Sequence, residues 1–351
     1  MQLPYNKSAT LLKLILYTDQ DFMYRFDPMA IHDGPKSGEG SVTSSRGADG
    51  AARLSTTADY HRFTPVDLMS EFTICESFSG PGSPYGIILE KPSSYGAMVG
   101  DFLVRMGLLK DRATVCEVGG GYGSLMHGLL GSHENRIERV YMIDLSLSLL
   151  KRQRDRLSPW KSRITSIRGD IHELLGAVAG VDLFIVNEVM GDLDTLTGID
   201  PSHMPPEAEE LIRAYDLDIP AVPFNLNIGA IRLVEALCRT GIPALLTEHS
   251  SDPVIPDDMA YLARDLDLDA YPREIKLFRH SEYTIRFSHL VKVARAHGRT
   301  ARTGALLDLI PVRKGKNLET IFRLRACDTE DHEIIYELLD HIREYRWLVI
   351  S

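Results

Sequence analysis

From residue 114 onward the chain alternates short apolar, β-rich runs with stretches whose apolar positions recur at helical spacing. Runs at 114–118, 139–143, 164–168, 182–186 and 243–247 read as strands. A helix at 94–109 leads into them, and another opens at 124–130. Ser146 stands as N-cap of a third helix that runs to about residue 157. In 229–240, Ala230, Leu233, Val234 and Leu237 repeat at i, i+3, i+4, i+7, and Gly241 supplies a stop. Phe287, Leu290, Val291 and Ala294 repeat the pattern in 284–297, with Gly298 behind them. Two more strands are expected at 305–312 and 320–326, and a final amphipathic helix carries Ile335, Leu338, Leu339 and Ile342.

This alternation predicts an α/β fold: a Rossmann-like, seven-stranded, mostly parallel sheet with helices on both faces. Residues 191–225 interrupt it after the fourth strand, rich in Pro and Asp, with one helix at 206–215. Such a length exceeds an ordinary connection. It is expected to be an insertion beside the carboxyl edge, where an acceptor would be selected. Residues 1–93 form an N-terminal extension, within which 31–58 is Gly- and Ser-rich with few large apolar residues and is expected to be mobile. The main domain is then 94–328, and 329–351 a C-terminal helix.

Composition narrows the function classes. The 351 residues are 44% hydrophobic, enough for a sizeable core, and the formal charge of −10 gives no overall field favouring nucleic acid or an anionic membrane. Basic stretches at 151–156 and 292–302 fall on or beside helical patterns and read as solvated faces. Cys75, Cys116, Cys238 and Cys327 are far apart without a C-x-x-C pair, which suits a reducing cytoplasm. No run approaches the roughly 18 apolar residues of a membrane span, and the short apolar piece at 11–17 lacks the flanks of a secretory signal. A soluble, cytoplasmic protein is the expectation.

The chemistry concentrates at Glu117-Val118-Gly119-Gly120-Gly121-Tyr122-Gly123, between a strand and a helix. A strand ending in a glycine turn lets a ligand lie on bare backbone at a helix N-terminus. A dinucleotide loop spaces its glycines G-x-G-x-x-G; here Gly119, Gly121 and Gly123 give G-x-G-x-G, and Ser124 takes the place of the third glycine. Glu117 would repel a pyrophosphate but complements the ammonium of a methionine moiety. A dinucleotide oxidoreductase is therefore disfavoured. The absence of G-x-S-x-G and G-x-x-x-x-G-K-[ST] removes the hydrolase and P-loop readings.

Further acids follow successive strands. Asp144, next to Leu145, ends the second strand, where a carboxylate accepts from ribose hydroxyls. Gly169-Asp170-Ile171 follows the third, with Asp170 placed for an adenine amino group. Asn187-Glu188 ends the fourth. Each has a structural alternative: Asp144 and Asp170 as caps of the next helix, Glu117 as a buried acid paired with an Arg, Glu188 as an acceptor for loop backbone.

The order of Glu117, the glycine loop, Asp144, Asp170 and Asn187-Glu188 resembles the class I methyltransferases that use S-adenosylmethionine (SAM), over roughly 94–326. Within that class, residues 117–126, Asn187-Glu188, 287–298 and Thr303-Gly304-Ala305-Leu306 are similar to the MidA family, as is Pro92-Ser93-Ser94-Tyr95-Gly96. That family includes protein arginine methyltransferases of respiratory complex I assembly. Two places depart from its pattern: Val189-Met190-Gly191-Asp192 after Asn187-Glu188, and Thr247-Glu248-His249 at the end of the fifth strand.

The resemblance implies SAM as cofactor. Glu117, Gly119, Gly120, Gly121, Gly123, Asp144, Leu145, Gly169, Asp170, Ile171 and Asn187 would bind it, and in-line displacement would carry the methyl to an N, O or C acceptor. Glu188 would orient a guanidinium or amine or take a proton, and His249 is a second candidate base. A SAM-binding assembly factor or sensor without turnover is the alternative. The acceptor stays open between a small molecule and a protein, arginine included, and a homodimer is compatible. Glu248, His249 and Asp252 form one short cluster and the other histidines lack ligand spacing, so no metal is expected.

Overall fold

Strand alternation sorts the side chains of the central sheet to its two faces. In Ala113–Val118 (β1), Ala113 and Val115 enter one core and Cys116 and Val118 the other. The remaining strands of this sheet are Ile137–Asp144 (β2), Ile164–Arg168 (β3), Leu183–Asn187 (β4), Ala244–His249 (β5), Ala301–Ala305 (β6) and Tyr345–Ile350 (β7). The computed structural model describes residues 52–68, 72–175, 178–277 and 279–351.

Spatial order is β6-β7-β5-β4-β1-β2-β3. The five strands from β5 to β3 are parallel, while β7 runs antiparallel to both β5 and β6. This is the expected Rossmann-like sheet of seven strands.

Helices cover both faces. Tyr95–Arg105 (α1), Ser124–His133 (α2) and, later in the chain, Lys316–Leu324 and Glu330–Ile342 pack on one core. Pro206–Tyr215, Ile228–Thr240 and Phe287–Ala296 pack on the other. Leu147–Arg156 (α3) follows β2, and the Ser146 hydroxyl caps it by accepting from the Leu149 amide. Close contact of α1 and α2 depends on glycine: a Cβ at Gly96 would lie 1.9 Å from the Leu125 carbonyl oxygen. Among the described residues, no helix is long and apolar enough to cross a membrane.

Three expectations need correction. The strand expected at 320–326 is helical, because Leu318 and Phe322 enter the core from one face and Ile321 is buried as well. The strand expected at 305–312 sits earlier, at β6, and a short 3-10 turn follows at Leu306–Asp308. The missing seventh strand is β7, within the segment expected to be only a C-terminal helix; its six residues are all buried.

The insertion also holds more than its expected helix. Thr195–Ile199 pairs antiparallel with Phe224–Leu226 on one side and with Arg53–Ser55 on the other. The segment 31–58 was expected to be mobile; 53–55 is instead a strand of this small sheet, and 31–51 lies outside the described residues.

Candidate functional site

One cavity opens along the carboxyl edge of β1, β2, β3 and β4, as open parallel sheets direct. Its floor is the turn after β1. Gly119, Gly121 and Gly123 all have positive φ, at 62°, 51° and 83°, which only glycine adopts without strain. The Gly119 amide donates to the Ile143 carbonyl at 2.8 Å, fixing the turn to β2. A Cβ at Gly119 would fall 2.4 Å from Val189 Cγ2, and one at Gly120 would fall 2.5 Å from Met142 Cε. The turn is therefore a backbone cradle.

Two carboxylates flank it. Glu117 is 2% exposed, and its Oε2 is buried without a hydrogen-bond partner. Burial, then the nearby charge of Asp144, pushes Glu117 up to about 8. Asp144 accepts from the Ser146 amide at 2.8 Å and from Gln153 Nε2 at 2.9 Å. The same Gln153 nitrogen donates to the Gly121 carbonyl at 3.0 Å, so α3 locks the acid to the turn. Burial outweighs these bonds and raises Asp144 to about 6.

The far end of the cavity is built on β4. Thr247 Oγ1 donates to Asn187 Oδ1 at 2.6 Å, which leaves Asn187 Nδ2 to donate to Glu188 Oε2 at 3.0 Å. Glu188 has φ of 52°, an uncommon backbone state for a non-glycine residue. Its carboxylate also accepts from the Ile74 amide at 2.9 Å and from the Tyr345 hydroxyl at 3.0 Å. Burial raises Glu188 to about 7 against the pull of these donors.

The roof comes from residues within 56–68 and 73–76, including Thr57, His61, Leu68 and Cys75. Tyr122, in the glycine turn, holds this roof: its hydroxyl donates to Asp67 Oδ1 at 2.8 Å and accepts from the Leu68 amide at 2.8 Å.

Residues 98–194, from α1 through β4 and into the following loop, match a family model described as "Putative S-adenosyl-L-methionine-dependent methyltransferase". That stretch marks the chain as a SAM-dependent methyltransferase. Its cofactor is SAM. The residues fit that group: the orphaned Glu117 oxygen faces a cradle that side chains would fill.

Among solved structures, the methyltransferase is similar to an uncharacterised protein from Burkholderia thailandensis, at 14% identity over 84% of this chain and 85% of that one, with a TM-score of 0.50. This likeness shows the fold. A member of the same superfamily from that organism, bound to S-adenosyl-homocysteine, matches at 15% identity over 84% and 86%, TM-score 0.47. The magnesium protoporphyrin IX methyltransferase of Synechocystis PCC 6803 with bound SAM matches at 14% over 73% and 76%, TM-score 0.36. No curated protein sequence matches significantly.

Of the expected cofactor residues, Glu117, Gly119, Gly120, Gly121, Asp144, Leu145, Gly169, Asp170, Ile171 and Asn187 line the cavity of the methyltransferase. Gly123 instead shapes the turn and caps α2 from the left-handed region. Asp170 also fills its structural alternative, accepting from the His172 amide at 2.9 Å as N-cap of Ile171–Leu174. Glu188 lines the cavity, whereas His249 does not. The His249 ring stacks on Tyr345 with centroids 4.4 Å apart, and burial, then His341 and Arg273, lowers it to about 3. Asp252 accepts from the Phe287 and Ser288 amides, both at 2.8 Å, and pairs with Arg346 at 3.1 Å.

The sequence offered the N-terminal region as a lid or docking face, but singled out no roof residue and not Asp192 for the site. Asp192 lines the cavity and pairs with His61 Nε2 at 2.9 Å and His280 Nε2 at 3.4 Å. Burial alone would raise its proton affinity, but the two imidazoles hold it well below the carboxylate range. The departure from the MidA pattern at residues 189–192 was the one signal of it.

Proposed function

We propose that the methyltransferase acts on a proton-bearing nitrogen or oxygen of its acceptor, and that Glu188 receives the proton. The observation that carries this reading is that Glu188, a half-buried carboxylate raised to about 7 by desolvation, lines the same cavity as the glycine cradle. When bound, SAM supplies a methyl group on a sulfonium, open to in-line displacement. Glu117 would pair with the methionine ammonium, Asp144 would accept from ribose hydroxyls, and the turn at Gly119–121 would lie against the ligand without side chains intervening. Asn187, itself oriented by Thr247, keeps the Glu188 carboxylate in place. A carboxyl group poised near neutrality exchanges a proton at little cost, and a positioned base contributes about 10²–10⁴-fold.

Two acceptor classes meet these requirements: a small-molecule amine or hydroxyl, and the protein guanidinium that the MidA resemblance implies. Incubating labelled SAM with separated protein and metabolite fractions distinguishes them. Glu188→Gln is expected to lower kcat about 100-fold or more while SAM affinity by calorimetry changes little. Unchanged kcat in that variant overturns the role given to Glu188.

A further inference from the structure

We propose that His61, Asp192 and His280 form a binding site for a divalent first-row transition-metal cation, such as zinc, on the wall of the cofactor cavity. Each residue offers one ligand atom, and the three atoms lie within 4.8 Å of one another. Asp192 Oδ1 is 2.9 Å from His61 Nε2 and 3.4 Å from His280 Nε2. Zinc with bonds of about 2.0–2.1 Å sets tetrahedral ligand atoms about 3.3 Å apart, so the carboxylate edges already have the right scale. Two imidazole nitrogens and one carboxylate are a borderline donor set, suited to zinc, iron, manganese or cobalt rather than calcium or magnesium.

The surroundings prepare those ligands. Thr57 Oγ1 donates to the Asp192 carbonyl at 2.7 Å and lies 3.2 Å from its Oδ1, which sets the carboxylate rotamer. Tyr60 stacks on the His280 ring with centroids 4.3 Å apart. Glu282 Oε1 stands 3.3 Å from His280 Nε2 and adds a second negative charge for a divalent cation. Outer partners that fix ring orientation are usual at metal-binding histidines. The site also has a way in and a face for exchangeable ligands, because His61 and Asp192 both line the cavity.

The trio joins distant pieces of chain: the helix Ala58–Phe63, the loop after β4, and the turn before Ser281–Tyr283. A cation there would clamp the roof of the cavity to its wall. This inference does not depend on the acceptor, and its readout is independent of methyl transfer.

The test uses the full chain, stripped of metal by a chelator and dialysed. Cobalt(II) is titrated while visible absorption is followed, and zinc is titrated by calorimetry. One equivalent is expected in each case, with proton release as the imidazoles give up their protons. His280→Gln and His61→Gln are each expected to weaken zinc by about tenfold or more, whereas His203→Gln, at an exposed position, should leave it unchanged. Far-UV circular dichroism and a cooperative thermal transition confirm that each variant is folded. Absence of stoichiometric cobalt or zinc binding by wild-type protein that still binds SAM overturns the proposal. So does zinc binding that survives unchanged in both the His61 and His280 variants; the trio is then an ion-pair latch only.

Discussion

The Ile74 amide donates to Glu188 Oε1 at 2.9 Å across 114 positions of sequence. This bond ties the roof of the cavity to the carboxylate at its far end. Tyr345, on the C-terminal strand β7, reaches the same oxygen at 3.0 Å. Three remote segments therefore meet at one carboxyl group, and its proton affinity reports on all of them.

Removing one of these donors should shift the pH dependence of the reaction. The Tyr345 hydroxyl stabilises the ionised form of Glu188, so Tyr345→Phe raises its proton affinity above about 7. The acid limb of the kcat/KM profile is expected to move to higher pH, with the limiting rate at alkaline pH largely kept. A limb that stays in place counts against Glu188 as the titrating base.

Glu117 sets binding against stability. Its folded proton affinity, about 8, lies far above that of an unfolded glutamate, so ionisation disfavours the ligand-free fold. The cost grows as pH rises from about 4.5 to 8 and is constant beyond. Glu117→Gln should raise the Tm of ligand-free protein at pH 8, by on the order of a few kcal/mol in stability, and should abolish measurable SAM binding. In wild-type protein, binding at pH 7 should release a proton as the carboxylate forms. Calorimetry in buffers of different ionisation enthalpy measures that release.

The contact of α1 with α2 admits no methyl group. Gly96→Ala places a Cβ against backbone rather than against a flexible side chain, and should destabilise by about 3 kcal/mol or more. Gly131→Ala is the control, on the exposed side of α2 with nothing within 4 Å of a new Cβ. It should gain about 0.5–1 kcal/mol from helix propensity. Denaturant titration of both variants decides the point.

Asp252 is a structural carboxylate. It caps Phe287–Ala296 through two amides and faces Arg346, which is also buried. Asp252→Ala leaves a buried guanidinium without its partner, and a loss of about 3–5 kcal/mol is expected. SAM affinity of the surviving folded fraction should be unchanged, since Asp252 does not line the cavity.

What the sequence made legible follows the range of the forces involved. β3 and the helix Pro206–Tyr215 fall where periodicity and capping place them, because those signals are local. The turn after β1 was legible because its glycines are needed by backbone geometry alone. At 320–326 the residues Thr320, Ile321 and Phe322 favour a strand locally, and tertiary burial of one helical face overrides that preference. β7 escaped notice because its apolar run follows directly on an amphipathic helix. The trio of His61, Asp192 and His280 was not legible, since no spacing rule joins residues from three separate loops and helices. His249 was read from its position at a strand end, but β7 pairs beside it, and Tyr345 covers its ring.

The placement of β7 between β5 and β6 has a consequence for how the chain reaches its native state. Until residues 345–350 arrive, Ala244–His249, with Leu245 and Leu246 within it, presents an open row of backbone donors and acceptors. Such an edge recruits foreign strands. Misassembly is therefore a hazard of any partly folded state in which the parallel strands have docked and the antiparallel β7 has not.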